Sequence, residues 1–565
     1  MEELSKSQKA RIAIRTFKIH ADSLTLQGAY KPSGKAGEKL ADSLRLISPE
    51  IYGSMTDERI VELKGLEYVM DRMPRGIEKC TRIILTAQED FNQTSFKKII
   101  PLKRRRVSYA VSEKEMCFVI TRGTSEIYDI LTHITFLNNE AEKIYRQAFN
   151  KIDGMSPEWA ELEKIVSGEK TMSKEELDQA IWNLSIILGR TYRETRDSYE
   201  SFEKKRVKSS SNNGLFKIMY DVGMRIRGER EDGVNLLTIY FTPSLHEMIG
   251  HHKYASLWAT SLKKKICDLG LEDRPVHVIS ANMHSIRNLL YGAGSLGSSG
   301  EIVSDDIYEM IKVIKNKDSL VIDYARKHGC TLHEDRSGIN IDVNIIDLAR
   351  IDGQKVHPGI HLSVEKLQES KALLVVIDYA FGIQAFEIMD EMLKPFSDGE
   401  EQRNMDIQSI SIMGKAGVLE GKKGDIMLAT AHVMEGTPHN YIVDNDFDEK
   451  DFDNGVNIYS GPMVTVLGTS LQNKDILERF HSSSWSAVGL EMEGGHYQRA
   501  ISGAIIQKHI RPDMKIRYAY YASDNPLVSG QTLASGPMGE DGIIPTYMIS
   551  KIILQKIINS DDDRK

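Results

Sequence analysis

The stretch that decides the fold of this chain is residues 486–529, SAVGLEMEGGHYQRAISGAIIQKHIRPDMKIRYAYYASDNPLVS. An apolar run at 488–490 leads into the acidic motif EME, and a second run at 516–522 ends at SDN. Between the two runs, apolar residues recur at the three- and four-residue spacing of a helix. We therefore expect a strand, a helix and a second strand, with the two strands parallel and their carboxyl ends at one edge of a sheet.

Acidic residues follow both predicted strands. Glu493 comes after the first strand and Asp524 after the second. Because ligands of open α/β sheets bind at the carboxyl edge of the strands, we expect these two carboxylates to share one crevice. Such a pair can divide the roles of proton donor and charge stabiliser. Either residue alone is also typical of an exposed strand end, so the pair is what indicates a site.

The composition limits the classes of function. A chain of 565 residues with 41% apolar and 27% charged residues predicts a soluble globular protein of two or three domains. The formal net charge of -8 argues against a general nucleic-acid binder. Apolar runs fall short of the roughly 20 residues of a membrane span, and no secretory signal is recognised. The 4 scattered cysteines predict reduced thiols and therefore a cytoplasmic protein. We expect no membrane partner.

Residues 1–207 are predicted to form a mainly helical domain, followed by a connecting segment at 208–271. Ser173 begins SKEE, a capping box ahead of a helical pattern. The strand-like run MCFVIT at 116–121 precedes a polar turn at 122–125, which is either an anion site at a helix N-terminus or an ordinary capped turn.

The basic run Lys103-Arg104-Arg105-Arg106 is typical of a solvated surface, with a phosphate or an acidic partner as the alternative. Two other patterns miss the spacing of the motifs that they suggest. His246 and His251 are one residue too far apart for the zinc-protease motif, so we predict no metal site. The GxGxxG run at 292–297 follows a predicted helix instead of a strand, which favours a mobile loop over a dinucleotide site.

Strands and helices alternate from residue 272 onwards. This order predicts an α/β fold with a parallel or mixed sheet over residues 272–565. The predicted strands in the first part of this region are 276–281, 343–346, 361–364, 372–377 and 407–413, the last ending in the glycine-containing turn GKAG.

Six segments of this region, in this order, resemble the nucleoside phosphorylase and nucleosidase superfamily, and its AMP nucleosidase branch most closely. They are DYAFGIQAFEIMDEML, IMGKAGVLEGKKGDIMLA, MEGTPHNY, GPMVTV, LEMEGGHY and SDNPL. The resemblance implies an α/β/α catalytic domain with a central mixed sheet at 272–565. The preceding helical region would then serve oligomerisation or regulation.

This resemblance implies hydrolysis of the N-glycosidic bond of a purine nucleotide, in which AMP and water give adenine and ribose 5-phosphate. Asp524 would protonate N7 of the base, and Glu493 would accept hydrogen bonds from the ribose hydroxyls. No metal or organic cofactor is implied, and the expected assembly is a homo-oligomer, a trimer or a hexamer. A phosphate-dependent purine nucleoside phosphorylase and a nucleotide-binding sensor stay open as alternatives.

Further residues are implied to contact the substrate. Met492 would pack on the sugar or base, Ser523 would orient Asp524, and Lys415 would bind phosphate, although an ordinary surface lysine stays open there. The implied substrate-binding positions are Glu491, Met492, Ser523, Gly414, Lys415, Gly417, Glu435, Thr437, His439, Gly382 and Asn282. Two positions depart from the family pattern. Asp378 stands where many relatives have Asn, and Asn525 stands where some AMP nucleosidases have Lys.

Overall fold

The computed structural model describes residues 5–87, 90–104, 106–150, 154–168, 172–233, 236–398, 401–453, 455–528 and 538–559. The chain divides into two compact units. The first comprises Met1–His251 together with Ser470–Ile476, and the second comprises His252–Thr469 and Leu477–Lys565. Within the described ranges, no helix combines the length and the apolar character needed to cross a membrane.

The first unit combines helices with a sheet. Its helices are α1 (Lys6–Gln27), α2 (Lys35–Ile47), α3 (Leu63–Met70), α4 (Gly123–Ala148), α5 (Pro157–Ser167), α6 (Lys174–Leu188), α7 (Tyr192–Ser209), α8 (Leu215–Arg227) and α9 (Pro243–His251). Its strands are β1 (Ala29–Tyr30), β2 (Arg82–Thr86), β3 (Lys97–Lys98), β4 (Val107–Ala110), β5 (Glu115–Val119), β6 (Phe149–Asn150), β7 (Gly154–Met155) and β8 (Thr238–Phe241).

The prediction of a mainly helical N-terminal region is incomplete. Among the residues that can be described, the strands form a six-stranded sheet in the order β1-β8-β2-β5-β4-β3, with β2 parallel to both β5 and β8. Its strands are 2 to 5 residues long, too short to show a clear alternation in the sequence. The predicted capping box is present, because Ser173 accepts from the Glu176 N–H while the Glu176 side chain accepts from Ser173. The unit continues to His251, whereas the sequence predicts boundaries at 207 and 271.

The second unit is a mixed α/β structure. Its helices are α10 (Lys253–Asp268), α11 (Met283–Ser298), α12 (Ile307–Ile314), α13 (Asp318–Lys327), α14 (Val364–Glu369), α15 (Gln384–Leu393), α16 (Lys474–Ser482), α17 (Gly494–Ile506) and α18 (Ile543–Ile558). Helix α16 begins within the short segment that belongs to the first unit.

The strands of this unit are β9 (Val276–Ser280), β10 (Cys330–His333), β11 (Val343–Asp347), β12 (Leu373–Ile377), β13 (Phe396–Asp398), β14 (Glu401–Arg403), β15 (Ile407–Val418), β16 (Ile426–Met434), β17 (Asn440–Ile442), β18 (Ile458–Thr465), β19 (Gly489–Glu491) and β20 (Lys515–Asp524). In the described part of the chain, the main sheet has 10 strands, and β12, which lies within the predicted strand 372–377, is buried along its whole length. Five of its strands pair into a closed ring: β15 with β19, β19 with β18, β18 with β16, β16 with β20, and β20 with β15.

The strands on either side of α17 do not run parallel, which corrects the prediction. Strand β20 is parallel to β15, whereas β19 is antiparallel to β15, so β19 and β20 run in opposite directions. The crossover rule concerns two parallel strands that a helix joins within one sheet. The sequence does not reveal that β19 and β20 both pair with β15, one on each side and in opposite directions. The two strand ends still approach each other, because Gly417 pairs with Leu490 on one side and with Asp524 on the other.

Three predicted segments are different in the structure. The GxGxxG run lies inside α11 and forms no loop. Its glycines allow α12 and α13 to pack closely, because an added Cβ at Gly292 would meet Ile314 at 2.8 Å and one at Gly294 would meet Tyr324 at 2.5 Å. Residues 361–364 are not a strand, since Ser363 caps α14. The turn GKAG is part of β15, which continues to Val418 through its pairing with β19 and β20.

Candidate active site

A β-bulge sets the position of Asp524 at the end of β20. Ala416 pairs with Ala522 and Gly417 pairs with Asp524, so Ser523 is the extra residue of the bulge. Bulges change the direction of side chains and are frequent beside active sites. The Ser523 hydroxyl contacts Asp524 Oδ1 and lies 3.1 Å from the Ala416 carbonyl. One hydroxyl proton serves only one of these acceptors, and a protonated Asp524 removes the conflict by donating to Ser523.

The environment of Asp524 favours its protonated form. The residue is 2% exposed, and burial raises the pKa of its carboxyl, while the Ser523 hydroxyl and the Lys415 ammonium oppose this shift in part. Within the described residues, Oδ2 of Asp524 has no hydrogen-bond partner. This carboxyl is therefore suited to give a proton to a group that enters the site.

Glu491 is a buried carboxylate that organises the backbone. It is 3% exposed, and its Oε2 accepts hydrogen bonds from the backbone N–H groups of Glu493 and Gly494 at the start of α17. Its Oε1 accepts from the Thr465 hydroxyl at 2.5 Å and lies 3.4 Å from His432 Nδ1. The predicted contact of Glu491 with substrate is not supported, because these groups already surround both oxygens.

Burial opposes ionisation of Glu491, but His432, the Thr465 hydroxyl and the Gly494 N–H outweigh it, and the pKa of this carboxyl is lowered. Glu491 therefore remains a carboxylate and holds the backbone from which the Glu493 side chain projects.

Glu493 is half-buried and directly precedes α17, whose N–H groups its side chain does not cap. Its Oε1 accepts the backbone N–H of Gly382 at 2.9 Å, which joins the start of α17 to the turn after β12. Gly382 has a φ of +57°, a left-handed conformation that glycine adopts without strain. The structure therefore brings together two of the predicted residues, Glu493 and Gly382.

The two carboxylates predicted to be catalytic lie on either side of β15. Asp524 and Leu490 both pair with Gly417, and neighbouring strands are about 4.8 Å apart, so the backbones of these two residues are separated by about 10 Å. Glu493 follows Leu490 by three residues.

A cavity of about 540 Å³ opens beside Lys415, within the usual size range of small-molecule sites. Asn282, which precedes α11, and Tyr521, next to the bulge, line it together with Lys315 and Tyr547. Two of the predicted residues, Asn282 and Lys415, thus share one cavity, whereas Asp524 and Glu493 are not among its lining residues. Burial of Lys415 lowers the pKa of its ammonium group, and the nearby Asp524 opposes that shift.

The other predicted residues lie around this region with different exposures. Met492 is buried, and its N–H donates to Glu493 Oε2 at 3.3 Å. Glu435 is buried, and its Oε2 accepts the Leu467 N–H at 3.1 Å. Thr437 is half-buried and His439 is exposed, both in the turn between β16 and β17.

Two partners of Glu491 were not predicted from the sequence. His432 is fully buried on β16, where its ring stands edge-on to Tyr518 at 4.7 Å, and Thr465 ends β18. The start of α17 packs directly on this cluster, since a Cβ at Gly494 would meet the His432 ring at 2.2 Å. The sequence signal for His432 is a polar residue in a largely apolar strand, which by itself does not point to Glu491.

A possible metal-ligand group lies elsewhere in this unit. In the described parts of the chain, His252, Asp390 and Glu391 place ligand atoms within 4.8 Å of one another. Lys394 already pairs with both carboxylates, at 2.8 and 2.6 Å. We therefore assign no metal to this group.

Solved structures of three kinds are similar to part of the chain. They are the 5'-methylthioadenosine/S-adenosyl homocysteine nucleosidase of Campylobacter jejuni (13% identity, TM-score 0.30, covering 51% of this chain and 100% of that chain), a futalosine hydrolase mutant of Helicobacter pylori (10%, 0.30, 51% and 100%) and uridine phosphorylase isoform 2 of Schistosoma mansoni (10%, 0.29, 55% and 94%). At TM-scores this low, the likeness decides neither the fold nor the activity of this chain. The chain matches no curated protein sequence.

A protein-family comparison gives a more extensive match. The model of a family of unknown function, DUF6909, matches residues 38–193 and 308–559. The first range lies in the first compact unit and most of the second range lies in the second unit. Since these ranges together span more than half of the sequence, the chain belongs to the family of unknown function DUF6909.

Proposed function

We propose that the second unit is an N-glycosidase of the nucleoside phosphorylase and nucleosidase superfamily that hydrolyses AMP to adenine and ribose 5-phosphate. The observation that carries this proposal is the Asp524 carboxyl. It is buried, its pKa is raised, and its Oδ2 has no partner among the described residues. A carboxylic acid in this state is suited to protonate a weakly basic leaving group.

In this mechanism Asp524 gives its proton to N7 of the purine as the bond to C1′ breaks. The sugar becomes cationic, and water adds to C1′ and loses one proton to give ribose 5-phosphate. Uptake of one proton restores the acid form of Asp524, so that AMP and water balance adenine and ribose 5-phosphate. Glu493 accepts hydrogen bonds from the ribose hydroxyls, which places a negative charge near the developing cation. The contact between Glu493 and the Gly382 N–H supports this role, because it holds the carboxylate at the turn after β12.

The 5′-phosphate would occupy the cavity beside Lys415. Lys415 and Lys315 both line this cavity, and Asn282 and Asn288 add amide groups that can donate hydrogen bonds. Two cations and neutral donors suit a phosphate monoester. This arrangement also suits a free phosphate ion, which keeps phosphorolysis of a purine nucleoside as the second candidate.

A direct assay separates these candidates. The purified full-length protein is incubated with AMP, ATP, adenosine and inosine, each with and without inorganic phosphate, and the free base is measured by chromatography. We expect adenine from AMP without added phosphate. Release of base only with phosphate would support the phosphorylase. No release under any of these conditions would contradict an enzyme of either kind and support a nucleotide sensor.

The site could belong to an assembly of several chains. We propose a cytoplasmic homo-oligomer, a trimer or a hexamer, with the first unit in an oligomerisation or regulatory role. Light scattering of the purified protein measures the mass of the assembly.

A further inference from the structure

Two tyrosines that are not among the predicted site residues meet at the carboxyl edge of the main sheet. Tyr379 follows the end of β12 by two residues, and Tyr521 lies on β20, where it pairs with Lys415 of β15. Strands β12, β9, β15 and β20 are neighbours in this order and run parallel, so their carboxyl ends share one edge. Because ligands of α/β sheets bind at such an edge, the two tyrosines stand where a ligand is expected.

The hydroxyl groups of Tyr379 and Tyr521 contact each other at 3.4 Å. This distance is longer than the roughly 2.7–2.8 Å of an ordinary hydrogen bond between hydroxyl groups, so the contact is weak. A pair of hydroxyl groups has two protons, and a hydrogen bond between them uses only one of the two. The pair therefore keeps one O–H group that can donate to a third group.

The surroundings of Tyr379 indicate which hydroxyl keeps its proton for another group. Although 37% of Tyr379 is exposed, burial of its hydroxyl and the neighbouring Tyr521 raise the pKa of Tyr379 well above its ordinary value. Because the hydrogen bond with Tyr521 contributes to this rise, Tyr379 is the donor in that contact. The backbone N–H of Asn282 donates to Tyr379 and opposes the shift in part. The proton of Tyr521 is thus left for another acceptor.

The side chain of Tyr521 faces the cavity beside Lys415. The two residues pair in register on parallel strands, which places their side chains on the same face of the sheet, and both line the cavity of about 540 Å³. Tyr521 is 7% exposed and packs in the core of this unit, so the position of its hydroxyl is fixed. Tyr521 therefore presents a neutral donor to the same space as the Lys415 ammonium group.

We propose that the Tyr521 hydroxyl donates a hydrogen bond to the 5′-phosphate of the substrate, and that Tyr379 is a positioning residue that directs this hydroxyl. The proposal rests on the function proposed above, in which the phosphate lies beside Lys415. The two donors complement each other, because the lysine supplies positive charge and the phenol supplies an O–H group at a fixed position. The tyrosine pair thus selects phosphorylated nucleosides over unphosphorylated ones.

Tyrosine-to-phenylalanine substitutions test this assignment, because they remove one hydroxyl and keep the ring. The Kd values of AMP, adenosine and inorganic phosphate are measured by calorimetry on the full-length protein with Asp524→Asn, which slows turnover during the titration. Tyr521→Phe should raise the Kd of AMP and of phosphate roughly ten- to hundred-fold, the usual effect of a hydrogen bond to a charged group, and leave that of adenosine unchanged. Tyr379→Phe should show the same selectivity with a smaller effect.

Tyr459→Phe is the matched control. Tyr459 is a half-buried tyrosine of the same unit and is not among the described residues that line the cavity, so all three Kd values should stay unchanged. Thermal unfolding without ligand shows whether each variant folds normally. A loss of folded protein would weaken the binding of AMP and of adenosine equally, so the ratio of their Kd values reports on the hydroxyl group alone.

Unchanged Kd values of AMP and phosphate in both variants, or a Kd of adenosine that rises as much as that of AMP, would overturn the proposal. Absence of binding of both AMP and phosphate would overturn it as well. These measurements do not depend on catalysis. If no adenine is released but Tyr521→Phe selectively weakens phosphate binding, only the proposed reaction fails. If adenine is released and both variants bind AMP normally, only the role of the tyrosines fails.

Discussion

The two units stabilise buried charge in different ways. In the second unit, Glu491 stays ionised because His432, Thr465 and a backbone N–H outweigh the effect of burial, whereas burial raises the pKa of Asp524. A carboxyl can thus respond to its surroundings by taking up a proton. In the first unit, Arg72, Arg104 and Arg106 keep the Asp129 carboxyl ionised, and their guanidinium groups stay protonated. The first unit thus keeps a buried carboxyl ionised with fixed cations, while in the second unit a buried carboxyl takes up a proton.

The largest effect should come from removing the acid. Asp524→Asn keeps the shape of the side chain but has no carboxyl proton to give to the base. We expect kcat for AMP to fall roughly 10²- to 10⁴-fold, the usual contribution of a general acid, with AMP still bound. Chromatographic assay of adenine and calorimetry of AMP binding check these two results. Asp541→Asn, on an exposed residue that pairs with Lys423, is the control and should keep full activity.

An Asp524→Asn variant with undiminished turnover would show that the protonated carboxyl is not used in the reaction. The two units would then still differ in how they stabilise a buried carboxyl, but this difference would have no role in catalysis.

A smaller effect is expected from weakening the carboxylate that remains ionised. Glu491→Gln retains the size of the side chain but replaces charged hydrogen bonds to the N–H groups of Glu493 and Gly494. We expect the free energy of unfolding to fall by about 2 kcal/mol at pH 7, measured by urea denaturation. Glu420→Gln, at an exposed position after β15, should change it little.

The pH dependence of the free energy of unfolding shows whether Glu491 stabilises the fold as a carboxylate. Because the pKa of Glu491 is lowered in the folded state, its stabilisation is present above the ordinary value of 4.5 and is lost as pH falls through the folded pKa. The difference between Glu491→Gln and the unmodified protein should therefore shrink in acid. A constant difference over this range would contradict a carboxylate role.

The smallest effect is a shift of the pH profile. The Lys415 ammonium stabilises the ionised form of Asp524 and so lowers the pKa of this carboxyl. Lys415→Met should raise that pKa further, and the decline of kcat on the alkaline side should move to higher pH. Lys315→Met is the matched control, because Lys315 lines the same cavity but is not among the groups that shift the pKa of Asp524. An equal shift in both variants would indicate a general loss of positive charge.

The sequence predicts local elements of the second unit better than their directions. The strand 372–377 and the helix after Glu493 are found because their apolar spacing depends only on neighbouring residues. The antiparallel course of β19 relative to β15 depends on pairing between residues far apart in the chain, which periodicity does not contain. The same applies to Gly292, where a glycine pattern indicates a loop but close packing of helices is the reason for the glycine.

In the candidate site, too, some residues can be predicted from the sequence, whereas others depend on pairing between distant strands. Asp524 and Lys415 were predicted from resemblance, and the structure adds a raised pKa and a cavity to them. The participation of His432 and Thr465 could not be predicted, because it arises from the closure of the strand ring around Glu491. Arg104 and Arg106, which contact Asp129, stand in the sequence only as part of a basic run, since the sequence does not indicate that Arg106 is buried.

The short segment Ser470–Ile476 has a consequence for biosynthesis. It belongs to the first unit, where the Asn473 side chain donates to the Ile47 carbonyl at 2.9 Å across a sequence separation of 426 residues. A ribosome adding roughly 5–20 residues per second needs about 10 to 45 seconds to proceed from His251 to Ile476. The N-terminal part must therefore wait in an incomplete state, and its final packing can occur only after most of the polypeptide has been translated.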